Sequence, residues 1–359
     1  MMRVIVAIDS FKGCLTSQEA NQAAAEGIRT QWPDAKISTV AVSDGGEGFV
    51  EAFQTALGGQ LIAVTVRDPL MRPIVAHYLL HGDTAVIETA QASGLTLLSA
   101  EERNPLVTTS YGTGQLVADA LRRGARHIIA GLGGSATSDA GIGMLRALID
   151  AFAGSGTWDD ISSSLKPVRF TIATDVSNPL CGPCGAARVF APQKALAATP
   201  EMISRLDERA RRFAEVSARH FGYDRSAHEG AGAAGGMGYA FLQYLNADRQ
   251  PGIRLLLDTI KFRDMVRGAD LVITGEGSAD RQTLMGKLPL GILQQSGGVP
   301  VCLIAGRISD REQLSQAGFA QVACVTPVGQ PLEEAMRSEV AMQNIRSCVR
   351  SILCAPLRP

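Results

Sequence analysis

The stretch Gly131-Leu132-Gly133-Gly134-Ser135-Ala136-Thr137-Ser138-Asp139 joins four kinds of chemistry in nine positions. Its glycines let a backbone approach an anion closely. Ser135, Thr137 and Ser138 add hydroxyl donors, and Asp139 closes it with a carboxylate. At the start of a helix, such a loop points free N–H groups at a phosphate. GxxxxGK[ST] does not occur in the chain, so this is not a Walker A loop. Gly131, Gly133 and Ala136 do match G-x-G-x-x-A, which leaves a dinucleotide site open. That fingerprint expects an acid at the end of the next strand, about 20 residues on. Asp150 has the spacing but falls in the helical pattern Leu145–Phe152.

Four more stretches repeat the mixture. They are Asp9-Ser10-Phe11-Lys12-Gly13, Ser43-Asp44-Gly45-Gly46-Glu47-Gly48, Thr174-Asp175-Val176-Ser177-Asn178-Pro179 and Gly275-Glu276-Gly277-Ser278-Ala279-Asp280, the last followed by Gly286-Lys287. Any one of them is explained as a helix cap or a tight turn. Five together exceed what turns require. Lysine supplies only 6 of the 34 cationic residues, and Lys12, Lys194 and Lys287 fall within or beside such motifs. Each is a point charge suited to a carboxylate or phosphate.

Other motifs carry less. Cys181-Gly182-Pro183-Cys184 has redox spacing but sits in a loop context, and it lacks partners for zinc. The five histidines form no metal spacing, and G-x-S-x-G does not occur at a strand-to-helix elbow. Gly230-Ala231-Gly232-Ala233-Ala234-Gly235 follows no strand and reads as a flexible, hinge-like start to a helix.

The elements that must position these groups alternate. Strand-like runs are Arg3–Ile8, Ile37–Val42, Gln60–Val66, His127–Gly131, Arg169–Ala173, Asp270–Thr274, Val299–Ile304 and Gln321–Val325. Many are bare apolar runs, as in parallel strands covered on both faces. Helical patterns between them include Ser17–Gln31, Gly114–Arg123, Ala140–Ala151, Pro200–Phe221 and Leu332–Leu353. This predicts an α/β fold with right-handed crossovers, in which ligands bind at the carboxyl ends of strands. A hairpin over Pro73–Leu80 and Thr84–Thr89, with the Gly- and Pro-rich stretch Leu180–Gly238, breaks the rhythm. The expectation is two α/β domains. One is Rossmann-like and discontinuous over 1–75 and 268–359, and the second is inserted over 76–267.

Composition excludes several classes. With 359 residues, two domains are expected. Lys plus Arg is 34 and Asp plus Glu is 35, giving a net charge of -1, so no general nucleic-acid or anionic-membrane surface is expected. The first apolar run ends at Asp9, too short for a signal segment, and no run reaches membrane-spanning length. Seven scattered cysteines fit reduced thiols in the cytoplasm.

In this order, the motifs resemble the glycerate kinases of bacterial sugar-acid pathways. The matching stretches are the five above, with Ser110-Tyr111-Gly112-Thr113-Gly114, Pro192-Gln193-Lys194, the Gly230 run and Gln282-Thr283, across nearly the whole chain. The resemblance implies two α/β domains with the active site in the cleft between them. It implies ATP- and Mg²⁺-dependent phosphorylation of D-glycerate at the 2-hydroxyl, in a cytoplasmic monomer or homodimer. It assigns Asp9, Ser10 and Lys12 to the substrate, and Gly133, Gly134, Ser135, Thr137, Gly275, Glu276 and Gly277 to the ATP phosphates. Asp44 and Asp175 are the candidate bases. Lys12, Lys194 and Lys287 stabilise charge, and Asp139, Asp175 and Asp280 are candidate Mg²⁺ ligands. The family carries Arg-hydrophobic-Asp after Gly-Glu-Gly, where this chain has Ser278-Ala279-Asp280. Two other activities share parts of the pattern. An NAD(P)-dependent oxidoreductase keeps the G-x-G-x-x-A loop, and a non-catalytic sugar-acid-binding protein keeps the substrate contacts.

Overall fold

A computed structural model describes residues 1–43, 46 and 48–354. The strands are β1 (Arg3–Ile8), β2 (Lys36–Thr39), β3 (Gln60–Arg67), β4 (Pro73–His81), β5 (Thr84–Glu88), β6 (His127–Gly131), β7 (Arg169–Ala173), β8 (Asp248–Gln250), β9 (Leu271–Ala279), β10 (Val301–Ile308) and β11 (Gln321–Cys324). The chain forms two units, one of Met1–Asp44, Thr55–Leu57 and Ile253–Pro359, the other of Gly45–Gln54 and Gly58–Gly252. Both units have the expected α/β architecture. No helix among the described residues is long and apolar enough to cross a membrane.

The first unit holds a five-stranded, wholly parallel sheet in the order β11-β10-β9-β1-β2. From β1 the chain moves outward to β2 on one side, and it later builds β9, β10 and β11 on the other. The strand order therefore reverses between β1 and β9, and at such a point ligands bind outside the carboxyl ends. Thr16 starts the helix Ser17–Gln31 with a capping box. That helix lies against the helix Ser338–Cys354 so closely that a Cβ on Gly27 would stand 2.8 Å from the Arg346 carbonyl.

The second unit holds a six-stranded sheet in the order β3-β4-β5-β6-β7-β8. β3, β4 and β5 pair antiparallel, and β5 to β8 are parallel. The expected hairpin is β4–β5. Because β3 pairs along its length with β4, residues from Gly58 onward belong with the second unit. The sequence had assigned residues up to 75 to the first. Residues from Ile253 onward likewise rejoin the first unit, ahead of the expected 268.

One stretch read as a loop, from Gly275 onward, is strand. β9 runs on to Ala279, pairing Glu276 with Ala305, Ser278 with Arg307 and Ala279 with Ile308. Glycine permits this. A Cβ on Gly275 would stand 2.3 Å from the Ile304 carbonyl, and one on Gly306 2.7 Å from the Gly277 carbonyl.

Candidate active site

The end of β1 is pinned from below. Buried Asn21 accepts a hydrogen bond from Ile8 N at 2.9 Å and donates to the Val40 carbonyl at 2.8 Å. Ser17 Oγ donates to the Ile8 carbonyl at 2.6 Å and accepts from Val42 N at 3.1 Å. On the other side of β1, Thr274 Oγ1 donates to the Ala7 carbonyl at 2.8 Å, and Asp9 N donates to the Gly275 carbonyl at 2.9 Å. The loop after β1 and the end of β9 are thereby fixed side by side.

Above them lies a cavity of about 430 Å³, lined by Asp9, Ser10, Lys12, Glu276, Gly277 and Lys287, all of them predicted from sequence. Glu276 is buried and accepts from Thr283 Oγ1 at 2.6 Å, with Lys287 Nζ 3.7 Å from its other oxygen. Apolar side chains complete the lining, among them Phe11, Val325, Leu332 and Met336. Of the other residues predicted here, Gly275 is buried in β9 and Asp280 caps the short helix Arg281–Met285 by accepting from Gln282 N at 2.7 Å. Sequence reasoning missed Arg307, at the end of β10, which also lines the cavity. The strand-end rule would have found it.

In the second unit, the Gly131–Asp139 loop follows β6 as expected. Ser135 Oγ lies 3.0 Å from Thr137 Oγ1 and accepts from Thr137 N at 3.1 Å. Gly134 adopts φ +68° and is exposed beside half-buried Gly133. Asp139 ties the loop down. Its Oδ2 accepts from Thr109 Oγ1, Ser110 N, Ser110 Oγ and Gly143 N at 2.8–3.3 Å, and its Oδ1 accepts from Gly141 N at 3.1 Å. Asp175 follows β7, half-buried. Lys194 lies beneath the loop and donates to the Thr137 carbonyl at 2.7 Å. Burial lowers its pKa to about 7, against the raising influence of Asp139.

The Gly230 run is a packed contact rather than a loose helix start. Ala234, Gly235 and Gly236 take left-handed backbone angles. A Cβ on Gly235 would stand 1.8 Å from the Thr137 carbonyl. The run thus forms the bed on which the Gly131–Asp139 loop lies.

Asp44 lies outside the described residues. Among the described residues, no three His, Cys, Asp or Glu side chains group as a metal site. Mg²⁺ accompanying a nucleotide needs only one or two carboxylates beside the phosphates, so Asp9 with Glu276, or Asp175, suits it. Asp150, the acid considered for a dinucleotide, sits in the helix Ile142–Phe152, bound to Tyr111 Oη at 2.9 Å and Arg146 at 2.7 Å. Burial, then the charge of Asp207, pushes the Cys181 thiol up to about 12, opposite to the shift of a reactive dithiol.

The glycerate kinase family model matches residues 4–355. A glycerate kinase of Bacillus subtilis (strain 168) is 41% identical, covering 99% of this chain and 98% of its own. A glycerate 2-kinase of Escherichia coli (strain K12) is also 41% identical, over 98% of this chain and 97% of its own. A crystal structure described as glycerate kinase 2, from Salmonella typhimurium LT2, superposes with a TM-score of 0.80 at 38% identity, over 98% of this chain and 97% of that one. With the match spanning both units and every motif above, the chain belongs to the glycerate kinase family.

Proposed function

We propose that this protein transfers the terminal phosphoryl group of ATP to the 2-hydroxyl of D-glycerate, giving 2-phosphoglycerate and ADP. The observation that carries this reading is the cavity at the strand-order reversal of the first unit, with lysines and carboxylates side by side, in a chain of this family. Glycerate is small, so its affinity must come from charge-assisted bonds to its carboxylate. Lys12 and Ser10 supply them. Phosphoryl transfer needs positioning and neutralisation of charge more than covalent chemistry. Lys287 neutralises phosphoryl charge, held in place by Glu276. Gly133, Gly134 and Ser135 present N–H and O–H donors to phosphate. Thr137, expected among them, is wholly buried and supports the loop through Ser135 Oγ, and Lys194 acts through the Thr137 carbonyl as a positioning residue. Asp44 or Asp175 takes the proton of the attacking hydroxyl. Mg²⁺ enters with ATP as part of the substrate. Asp175 is proposed as its carboxylate ligand from the protein, while Asp139 and Asp280 hold backbone N–H groups.

The test is an assay of the purified protein with D-glycerate, ATP and Mg²⁺, with the product's phosphate position read by NMR. Formation of 2-phosphoglycerate is the expected result. The 3-phosphate would correct the regiochemistry. Glycerate bound without turnover would make the protein a sugar-acid-binding relative of the kinases.

A further inference from the structure

Arg307 stands across the β9–β10 ladder from Ser278. Partners in register project from the same face of a sheet, so the two positions share one side of it. Both line the cavity that also contains Lys12 and Lys287. The Arg307 side chain is exposed and, among the described residues, makes no ion pair or hydrogen bond within the protein. Lys287, by contrast, is held at 3.7 Å from Glu276. The cavity thus has a guanidinium whose five donors have no partner among the described residues. A guanidinium grips planar carboxylate or phosphoryl oxygens with two bonds at once, which an ammonium does not.

We propose that Arg307 binds the anionic oxygens of a substrate in this cavity, either the carboxylate of the acid or the phosphoryl oxygens of the nucleotide. The assignment rests on the reading of the cavity as a substrate site. It places the cation on β10, one strand over from position 278, where Ser278 offers only a hydroxyl.

The ladder supplies the test. Arg307→Ser removes the guanidinium, and the double variant Arg307→Ser with Ser278→Arg moves it to the facing position of the same ladder. Because the side chain is exposed and makes no hydrogen bond or ion pair among the described residues, Arg307→Ser is expected to melt with the wild type. It is expected to lose roughly 10- to 100-fold in kcat/KM, the range of one charge-assisted bond. The double variant is expected to recover most of that loss, and a structural role would not be restored in this way. A raised KM for glycerate identifies the carboxylate as the ligand. A raised KM for ATP or a lowered kcat identifies the phosphoryl group. Unchanged kinetics in Arg307→Ser beside an active wild type would overturn the assignment and leave the kinase reading intact. So would a loss that neither the double variant nor Arg307→Lys relieves at all. A wild type that neither turns over nor binds glycerate or ATP by calorimetry would overturn the kinase reading, and this assignment with it.

Discussion

Lys194 Nζ donates to the Thr137 carbonyl at 2.7 Å from a position almost wholly shielded from water. Burial disfavours the charged form, so the folded protein releases this proton near pH 7. The unfolded chain holds it up to the ordinary lysine value of 10.5. Unfolding therefore takes up a proton between those two values, and the contribution of Lys194 to stability rises with pH across that window. Below pH 7 both states carry the charge, and the folded state bears its full burial penalty. We expect urea midpoints of the wild type to gain on those of Lys194→Met as pH is raised from about 7 towards 10. A gap that stays constant with pH would contradict the lowered pKa.

The contact between Gly235 and the Thr137 carbonyl predicts an unequal response of two glycines to alanine. Gly235 has φ +68°, and a Cβ there would stand 1.8 Å from a backbone oxygen. Gly222 has φ +74° and nothing within 4 Å of its Cβ position. Gly222→Ala should cost only the left-handed backbone penalty, about 1 kcal/mol. Gly235→Ala adds overpacking of about 1–3 kcal/mol and pushes the Gly131–Asp139 loop aside. Chemical denaturation compares the two stabilities, and steady-state kinetics should show a clear loss in Gly235→Ala alone.

How far these residues can be read from sequence depends on what decides their surroundings. β1, β6, β7 and the helices Ser17–Gln31 and Pro200–Phe221 match their sequence-based bounds residue for residue. Each is set locally, by a bare apolar run or by a capping threonine such as Thr16 or Thr199. The single helical pattern over Leu332–Leu353 is two helices, Leu332–Ala335 and Ser338–Cys354. The site divides in the same way. Asp9, Lys12, Glu276 and Lys287 lie in glycine-containing motifs that follow strands and are visible as such. Arg307 also follows a glycine at a strand end, but only the pairing of β10 with β9, which is not local in sequence, places it in their cavity. The Gly230 run misled for a related reason: glycine signals close approach as readily as freedom, and only its neighbours decide which.

Asn21 predicts that the first-unit cavity depends on a residue outside it. Its amide satisfies the Ile8 N–H and the Val40 carbonyl, both at strand ends beside the site. Asn21→Leu keeps the volume but leaves both groups buried without a partner. At about 1–3 kcal/mol for each of the two unsatisfied groups, a loss of roughly 2–6 kcal/mol in stability is expected. Asn21→Asp can still accept from Ile8 N, but only its protonated form can donate to the Val40 carbonyl, so its stability relative to leucine should rise as pH falls. Denaturant unfolding monitored by circular dichroism across pH checks both expectations.

Asp44 and Asp175 compete for the role of base, and amide replacement separates the possibilities. An asparagine keeps the size but cannot accept the hydroxyl proton. The variant that lacks the base should lose about 10²- to 10⁴-fold in kcat, with KM for ATP little changed. A variant that lacks a Mg²⁺ ligand should instead show a raised metal requirement, relieved in part by millimolar Mn²⁺. If Asp175→Asn is relieved by metal and Asp44→Asn is not, Asp175 holds the ion and Asp44 takes the proton. The reverse pattern exchanges the roles. Turnover near the wild-type rate in both variants would remove both carboxylates from the chemistry. The proton would then leave the hydroxyl to the transferred phosphoryl group or to water, and catalysis would rest on the cations alone.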